Sequence, residues 1–218
     1  MDKVLVIAVH PDDETLGCGG TLLKHKKAGD EIHWLICTTI KESHPYYEKR
    51  EKEVESVSKA YSFDSTHNLR LNTMQVDEYS VSELVSKISK VINEIQPNII
   101  YLPFKGDVHS DHRTIFDASY SCTKSFRYPF IKRIYMFETL SETEFAPSTK
   151  EDSFIPNLFV DISKYMEKKI EIMKIFQSEM GEHPFPRSER NLRALATMRG
   201  ATARCEYAES FVLLKEIR

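Results

Sequence analysis

Residues 3–39 read KVLVIAVHPDDETLGCGGTLLKHKKAGDEIHWLICTT, which is a strand, a loop, a helix and a second strand in immediate succession. Lys3 to His10 is an apolar, largely β-branched run, too short for a helix and suited to a strand buried on both faces. Pro11 ends it. Thr15 to Ala28 follows as a helix, with Lys24, Lys26 and Lys27 late, where positive charge complements a helix C-terminus, and Gly29-Asp30 closes it. Glu31 to Thr39 is the second strand. The unit then repeats. Tyr47 to Tyr61 is a charged helix and His67 to Asn72 a short strand. Val81 to Ile95 carries apolar residues at spacings of three and four, the pattern of an amphipathic helix. Asn98 to Phe104 is a strand, Lys105 to Asp111 a loop, a helix runs to about Ser125, and Ile131 to Thr139 is a strand. Strands alternating with helices at this rhythm predict an α/β fold with right-handed crossovers, a mainly parallel sheet and helices on both faces.

Beyond Thr139 the pattern loosens. Ser141 to Ser153 reads as a surface loop, Asn157 to Ile162 as a strand and Ser163 to Ser178 as a helix with a Ser cap. Glu179 to Arg204 is a basic, irregular tail before Tyr207 to Ile217. There is no internal repeat and no low-complexity break, so residues 1–218 are expected to form a single domain. At 218 residues and 41% apolar content the chain can bury a core without staples. Thirty basic against 33 acidic residues leave a net charge of −3, which argues against nucleic acid as a partner. No run is long enough for a membrane span or a signal segment. Cys18, Cys37, Cys122 and Cys205 are widely spaced, as expected of free thiols in a reducing compartment, so a cytoplasmic location is expected. A homo-oligomer is compatible with all of this.

Ligands of open parallel sheets bind beyond the carboxyl ends of the strands, and two such loops concentrate reactive side chains. The first is His10-Pro-Asp-Asp-Glu14, the second Gly106-Asp-Val-His-Ser-Asp-His112. His10 and Asp13 from the first and His112 from the second supply two imidazoles and one carboxylate, a donor set that leaves coordination positions open, as catalytic zinc sites do. Ferrous iron would accept the same donors. Asp12, adjacent to Asp13 in an extended turn, points elsewhere and is placed to act as general base toward a water on the metal. The competing reading makes these ordinary loop histidines and helix-capping carboxylates. Against it, three consecutive carboxylates after an apolar strand repel one another unless a cation is near. Gly17, Gly19 and Gly20 suggest a phosphate cradle, but Leu22 stands where a dinucleotide fingerprint needs its third glycine. They are read instead as letting the first helix pack closely beneath a metal loop.

AVHPDDETLGCGGTL, residues 8–22, resembles the signature of the LmbE-like, or PIG-L-type, family of metal-dependent N-acetylglucosaminyl deacetylases. His109-Ser-Asp111-His112 is similar to that family's H-x-D-H motif, and Tyr207-Ala-Glu-Ser-Phe211 resembles its C-terminal stretch. The resemblance implies a Rossmann-like three-layer sandwich and hydrolysis of an N-acetyl group from an N-acetylglucosamine-type sugar or its conjugate by a zinc-bound water. Carried over, His10, Asp13 and His112 are metal ligands and Asp12 the base. His109 assists at the tetrahedral intermediate, in protonated form and oriented by a carboxylate such as Asp111. Arg50 falls where the family tends to place a sugar-contacting arginine. The series Arg187, Arg190, Arg193, Arg199 and Arg204 reads as a basic face, or as a contact for an anionic aglycone. Another metal-dependent hydrolase, an amidase or phosphoesterase, and a non-enzymatic sugar- or nucleotide-binding module are the alternatives.

Overall fold

Strand β1 (Lys3–Ala8) is buried along nearly its whole length because it lies near the middle of the sheet. Its side chains alternate as a strand's must. Val4, Val6 and Ala8 enter one core, and Leu5, Ile7 and Val9 the other. The computed structural model describes residues 1–151 and 153–218. Its other elements are α1 (Asp13–Ala28), β2 (Glu31–Thr39), α2 (Tyr47–Tyr61), β3 (Ser65–Asn72), α3 (Val81–Ile95), β4 (Ile99–Pro103), α4 (Ser110–Ser121), β5 (Arg133–Phe137), β6 (Leu158–Asp161), α5 (Met166–Met173), α6 (Glu189–Ala203) and β7 (Ala208–Glu216), with a 3-10 turn at Val76–Glu78.

The sheet order is β3-β2-β1-β4-β5-β7-β6. The strands from β3 to β5 pair in parallel, while β7 enters antiparallel between β5 and β6. Helices α1 and α2 pack on one face, joined by α5 and α6, and α3 and α4 pack on the other. The chain therefore reverses its winding between β1 and β4, which opens a crevice at their carboxyl ends. The expected α/β three-layer sandwich with a mainly parallel sheet is the observed architecture.

Two expectations for the second half are corrected. The helix is shorter than Ser163 to Ser178, and Ser163 does not cap it. Its N–H and hydroxyl both donate to Asp161 Oδ1, at 2.9 and 2.6 Å, which forms a turn, and α5 starts only at Met166. The tail is also not irregular throughout. Ser188 caps α6 by accepting the Asn191 N–H, and Arg204 closes it in the left-handed region at φ 58°. The basic series is dispersed, not gathered into one face. Arg187 pairs with Glu179, Arg193 with Glu167 and Glu189, and Arg199 with Glu138.

Helix α1 is broken at Cys18, where φ −143° and ψ 20° leave the helical region. The amides freed in the next turn are taken up from β7. Glu209 accepts the N–H of Gly20 at 2.8 Å and that of Thr21 at 2.7 Å, and the Thr21 hydroxyl as well. On the other side of the break, Lys169 of α5 donates to the Leu16 carbonyl and pairs with Glu209, both at 2.8 Å. A side chain at Gly17 would collide with the ring of Phe137, and a Cβ at Gly20 would lie 2.7 Å from Ile162. These glycines serve close approach, since neither has a positive φ.

Candidate active site

The crevice is floored by the two loops singled out in the sequence. At the end of β1 the N–H groups of Val9 and His10 both donate to Asp13 Oδ2, at 3.0 and 2.8 Å, which fixes that carboxylate under the turn. Asp12 adopts φ 142°, a region that side chains other than glycine rarely enter. The Asp13 carboxylate is thus held by two backbone amides, whereas Asp12 lines the same pocket without a helix-capping bond. His109 caps α4, its Nδ1 accepting the Asp111 N–H at 3.1 Å. His112, one turn into that helix, is fully buried.

Across the gap, His112 Nε2 lies 3.3 Å from His10 Nδ1 and 3.4 Å from Asp13 Oδ2, and His10 Nδ1 lies 3.9 Å from Asp13 Oδ2. Donors bound tetrahedrally at about 2.0–2.1 Å stand roughly 3.4 Å apart, so this triangle fits an ion of zinc's size with little rearrangement. Each histidine has a carboxylate behind it. His112 Nδ1 is 2.9 Å from Asp107 Oδ2, and Asp107 Oδ1 accepts the Thr143 hydroxyl at 2.6 Å. His10 Nε2 is 3.4 Å from Asp111 Oδ2. Such partners set the tautomer and direction of a ligating imidazole. A second grouping of His10, His109 and Asp111 is also close enough for an ion, but there the single lone pair of His109 Nδ1 already accepts the Asp111 N–H.

The electrostatics are those of a buried anionic site. Burial, then the charges of Asp13 and Glu179, push the Asp12 carboxyl well above its ordinary range. Burial opposes protonation of His112, but the Asp13 charge and the Asp107 hydrogen bond outweigh it and raise the imidazole to about 9. Burial and the neighbouring histidines pull His109 down to about 4. Its imidazole is therefore neutral at pH 7, with Nδ1 as acceptor and the proton on Nε2. Here the expectation is corrected: the Asp111 carboxylate faces His10, and only its backbone N–H meets His109. Burial works against ionisation of Asp111, but hydrogen bonds from His10 and from the Met74 and Val76 amides hold its carboxyl below the usual range. Glu142, missed in the sequence, also faces the site, and burial raises its carboxyl to about 7.

Below about pH 9 an ion must displace the proton on His112, and above it none. Metal affinity should therefore rise about tenfold per pH unit up to pH 9 and then level off. Competition with a chelator across pH 6.5–10 measures this, and a flat profile below pH 8 would contradict it.

The pocket above the triangle has a volume of about 210 Å³. Asp12, His109, Glu142, Glu179, Arg187 and Met74 line it, together with Arg50. Arg50 was expected to contact a sugar. Its guanidinium instead donates to the Pro11 carbonyl at 3.0 Å and to Ser178 Oγ at 2.8 Å, pairs with Glu179 and lies 3.4 Å from Glu53. It ties the His-Pro-Asp-Asp turn to the segment after α5. His183 is exposed and lies outside the pocket wall. Asp107 had a findable signal, because a ligating imidazole needs a carboxylate for its second nitrogen and Asp107 lies five residues before His112. Glu142, Thr143, Glu179 and Arg187 had none, since they arrive from distant loops.

A doubly wound α/β domain with an open two-histidine, one-carboxylate pocket at its switch point is the class that fold and site define. The chain belongs to the PIG-L family, described as GlcNAc-PI de-N-acetylase, whose model matches residues 5–123. A diacetylchitobiose deacetylase of Thermococcus kodakarensis is 27% identical over 95% of this chain and 81% of its own length. The crystal structure of the conserved protein TT1542 from Thermus thermophilus superposes with a TM-score of 0.81 over 100% of this chain and 97% of that one, at 24% identity. GalB, the 4-carboxy-2-hydroxymuconate hydratase from Pseudomonas putida KT2440, does so with a TM-score of 0.78 over 100% of this chain and 98% of that one, at 15% identity. The fold thus also carries a hydratase, so it does not by itself fix the reaction type.

Proposed function

We propose that this chain is a metal-dependent hydrolase that removes the N-acetyl group from an N-acetylglucosamine-type amino sugar or its conjugate. The observation that carries this reading is the His10, Asp13, His112 triangle with the Asp12 carboxyl beside it and free of any helix-capping hydrogen bond. Family membership and the deacetylase names of its relatives support it. The donor set suits zinc, and ferrous iron is the other ion it would accept. When bound, such an ion polarises an amide carbonyl and lowers the pKa of a water.

The remaining work belongs to the chain. Asp12 takes a proton from the attacking water and returns it to the departing amine, for which a carboxyl with a raised pKa is suited. The His109 Nε2–H donates to the oxyanion that develops on the former carbonyl oxygen, and as a neutral imidazole it is a hydrogen-bond donor and not a cation. Asp107 and Thr143 keep the His112 ring turned toward the pocket. A volume of about 210 Å³ is small against ligand cavities of roughly 300–1,000 Å³, so one sugar ring with its acyl arm fills it and any aglycone lies outside.

The test is amine release from N-acetylglucosamine and N,N'-diacetylchitobiose by zinc-loaded protein, with metal content read by elemental analysis. We expect turnover in the wild type, and loss of both metal and turnover in His112→Ala. Metal-loaded protein that releases no amine from any N-acetylated amino sugar would overturn the reading, and stoichiometric zinc in His112→Ala would remove that residue from the ligand set.

A further inference from the structure

The polar groups of the pocket are unevenly engaged. Glu179 lies between two guanidiniums. It pairs with Arg50 on one side and with Arg187 at 2.9 Å on the other, and the Arg187 Nε–H also donates to the Glu179 carbonyl. Ser141 Oγ takes a third Arg187 donor at 3.0 Å, and Arg50 meets Glu53 besides. Both positive charges in the wall are thus matched by carboxylates. Glu142 is matched by nothing comparable. It lines the same pocket half-buried, close enough to His112, Asp13, Asp107 and Arg187 for their charges to act on it, and its carboxyl has no hydrogen bond or ion pair among the described residues. The other arginines of the C-terminal half bring no spare charge here. Arg193 and Arg199 are paired elsewhere, Arg190 is exposed, Arg204 closes α6, and none of the four lines the pocket.

We propose that Glu142 determines specificity, its carboxylate accepting hydroxyl hydrogens of the sugar, so that the site selects neutral or cationic amino sugars over anionic conjugates. This rests on the deacetylase reading. An anionic substituent beside Glu142 would meet a like charge that the wall arginines, already paired with carboxylates, do not offset, whereas hydroxyl or ammonium groups find an open acceptor.

Glu142→Gln tests it with little risk to folding, because the substitution keeps the shape and removes no hydrogen bond made by the carboxyl. With zinc-loaded protein, kcat/KM for methyl N-acetylglucosaminide should exceed that for N-acetylglucosamine 6-phosphate by at least about tenfold. In Glu142→Gln the ratio should shrink to under about threefold, with KM for the neutral sugar raised. Calorimetric binding of glucosamine and of glucosamine 6-phosphate reads the same preference without turnover. Equal or better use of the phosphorylated sugar by the wild type overturns the proposal, as does an unchanged ratio in the variant. Preferential binding of glucosamine with no amine released from either acetylated sugar would sink the deacetylase reading while supporting the selectivity. Binding of neither sugar, with no turnover, sinks both.

Discussion

Asp12→Asn should lower kcat by about 10² to 10⁴ while leaving metal content at the wild-type level. The size follows from the role, since an amide of the same shape occupies the same turn but cannot accept and return a proton. Metal should be retained because Asp12 is outside the His10, Asp13, His112 triangle and makes no capping bond on which α1 depends. A second substitution separates chemistry from architecture. Asp12 holds φ 142° and is only 3% exposed, two costs that a glycine would not bear. Asp12→Gly should therefore be as inactive as the asparagine variant yet more stable than wild type, by about 1–3 kcal/mol for the backbone strain alone. Steady-state kinetics, elemental analysis and urea unfolding on the same preparations check all three statements. Turnover of Asp12→Asn near the wild-type level would remove Asp12 as the base.

The largest loss of stability is expected at the break in α1. Lys169→Met removes the cation from a pair in which both side chains are about 5% exposed, and leaves the Glu209 carboxylate charged in the core. Removing one partner of such a pair costs about 3–5 kcal/mol, more than the net worth of the pair, because the remaining charge stays desolvated. The Leu16 carbonyl also loses its Lys169 donor. Adding Glu209→Gln should recover part of the loss, since the glutamine carries no charge and its carbonyl still accepts from one of the Gly20 and Thr21 amides. Urea unfolding of the single and double variants measures the cycle. A Lys169→Met protein within about 1 kcal/mol of wild type would show that the three donors on Glu209 suffice without the ion pair.

How much of this could be read from the chain depends on how local the cause is. β2, α2 and α3 have the expected limits of Glu31–Thr39, Tyr47–Tyr61 and Val81–Ile95, because runs of neighbouring residues decide whether a segment alternates or turns every 3.6 residues. The triangle was legible for a related reason, as His10 and Asp13 share one turn and His112 begins the next helix of the switch point. α6 was not, because its buried face is only Leu192, Ala196 and Gly200, set among arginines that resemble a solvent-facing tail. Arg50 illustrates the limit most clearly. Its neighbours in sequence allow a sugar contact, but Ser178 and Glu179, 128 and 129 residues later, take up its donors. Thr143 reaches Asp107 across 36 residues and Glu142 enters the pocket from the same loop, and no periodicity announces either.

The splice in α1 also ties the two ends of the chain together. The carboxylate that satisfies the amides of Gly20 and Thr21 lies 189 and 188 residues further on, on a strand that pairs antiparallel between β5 and β6. Without Glu209 the amides of Gly20 and Thr21 lose the acceptor they have in the folded chain, and without β7 the sheet lacks the strand that joins β6 to it. The second half of the first helix thus depends on a strand that joins the sheet from the other end of the chain.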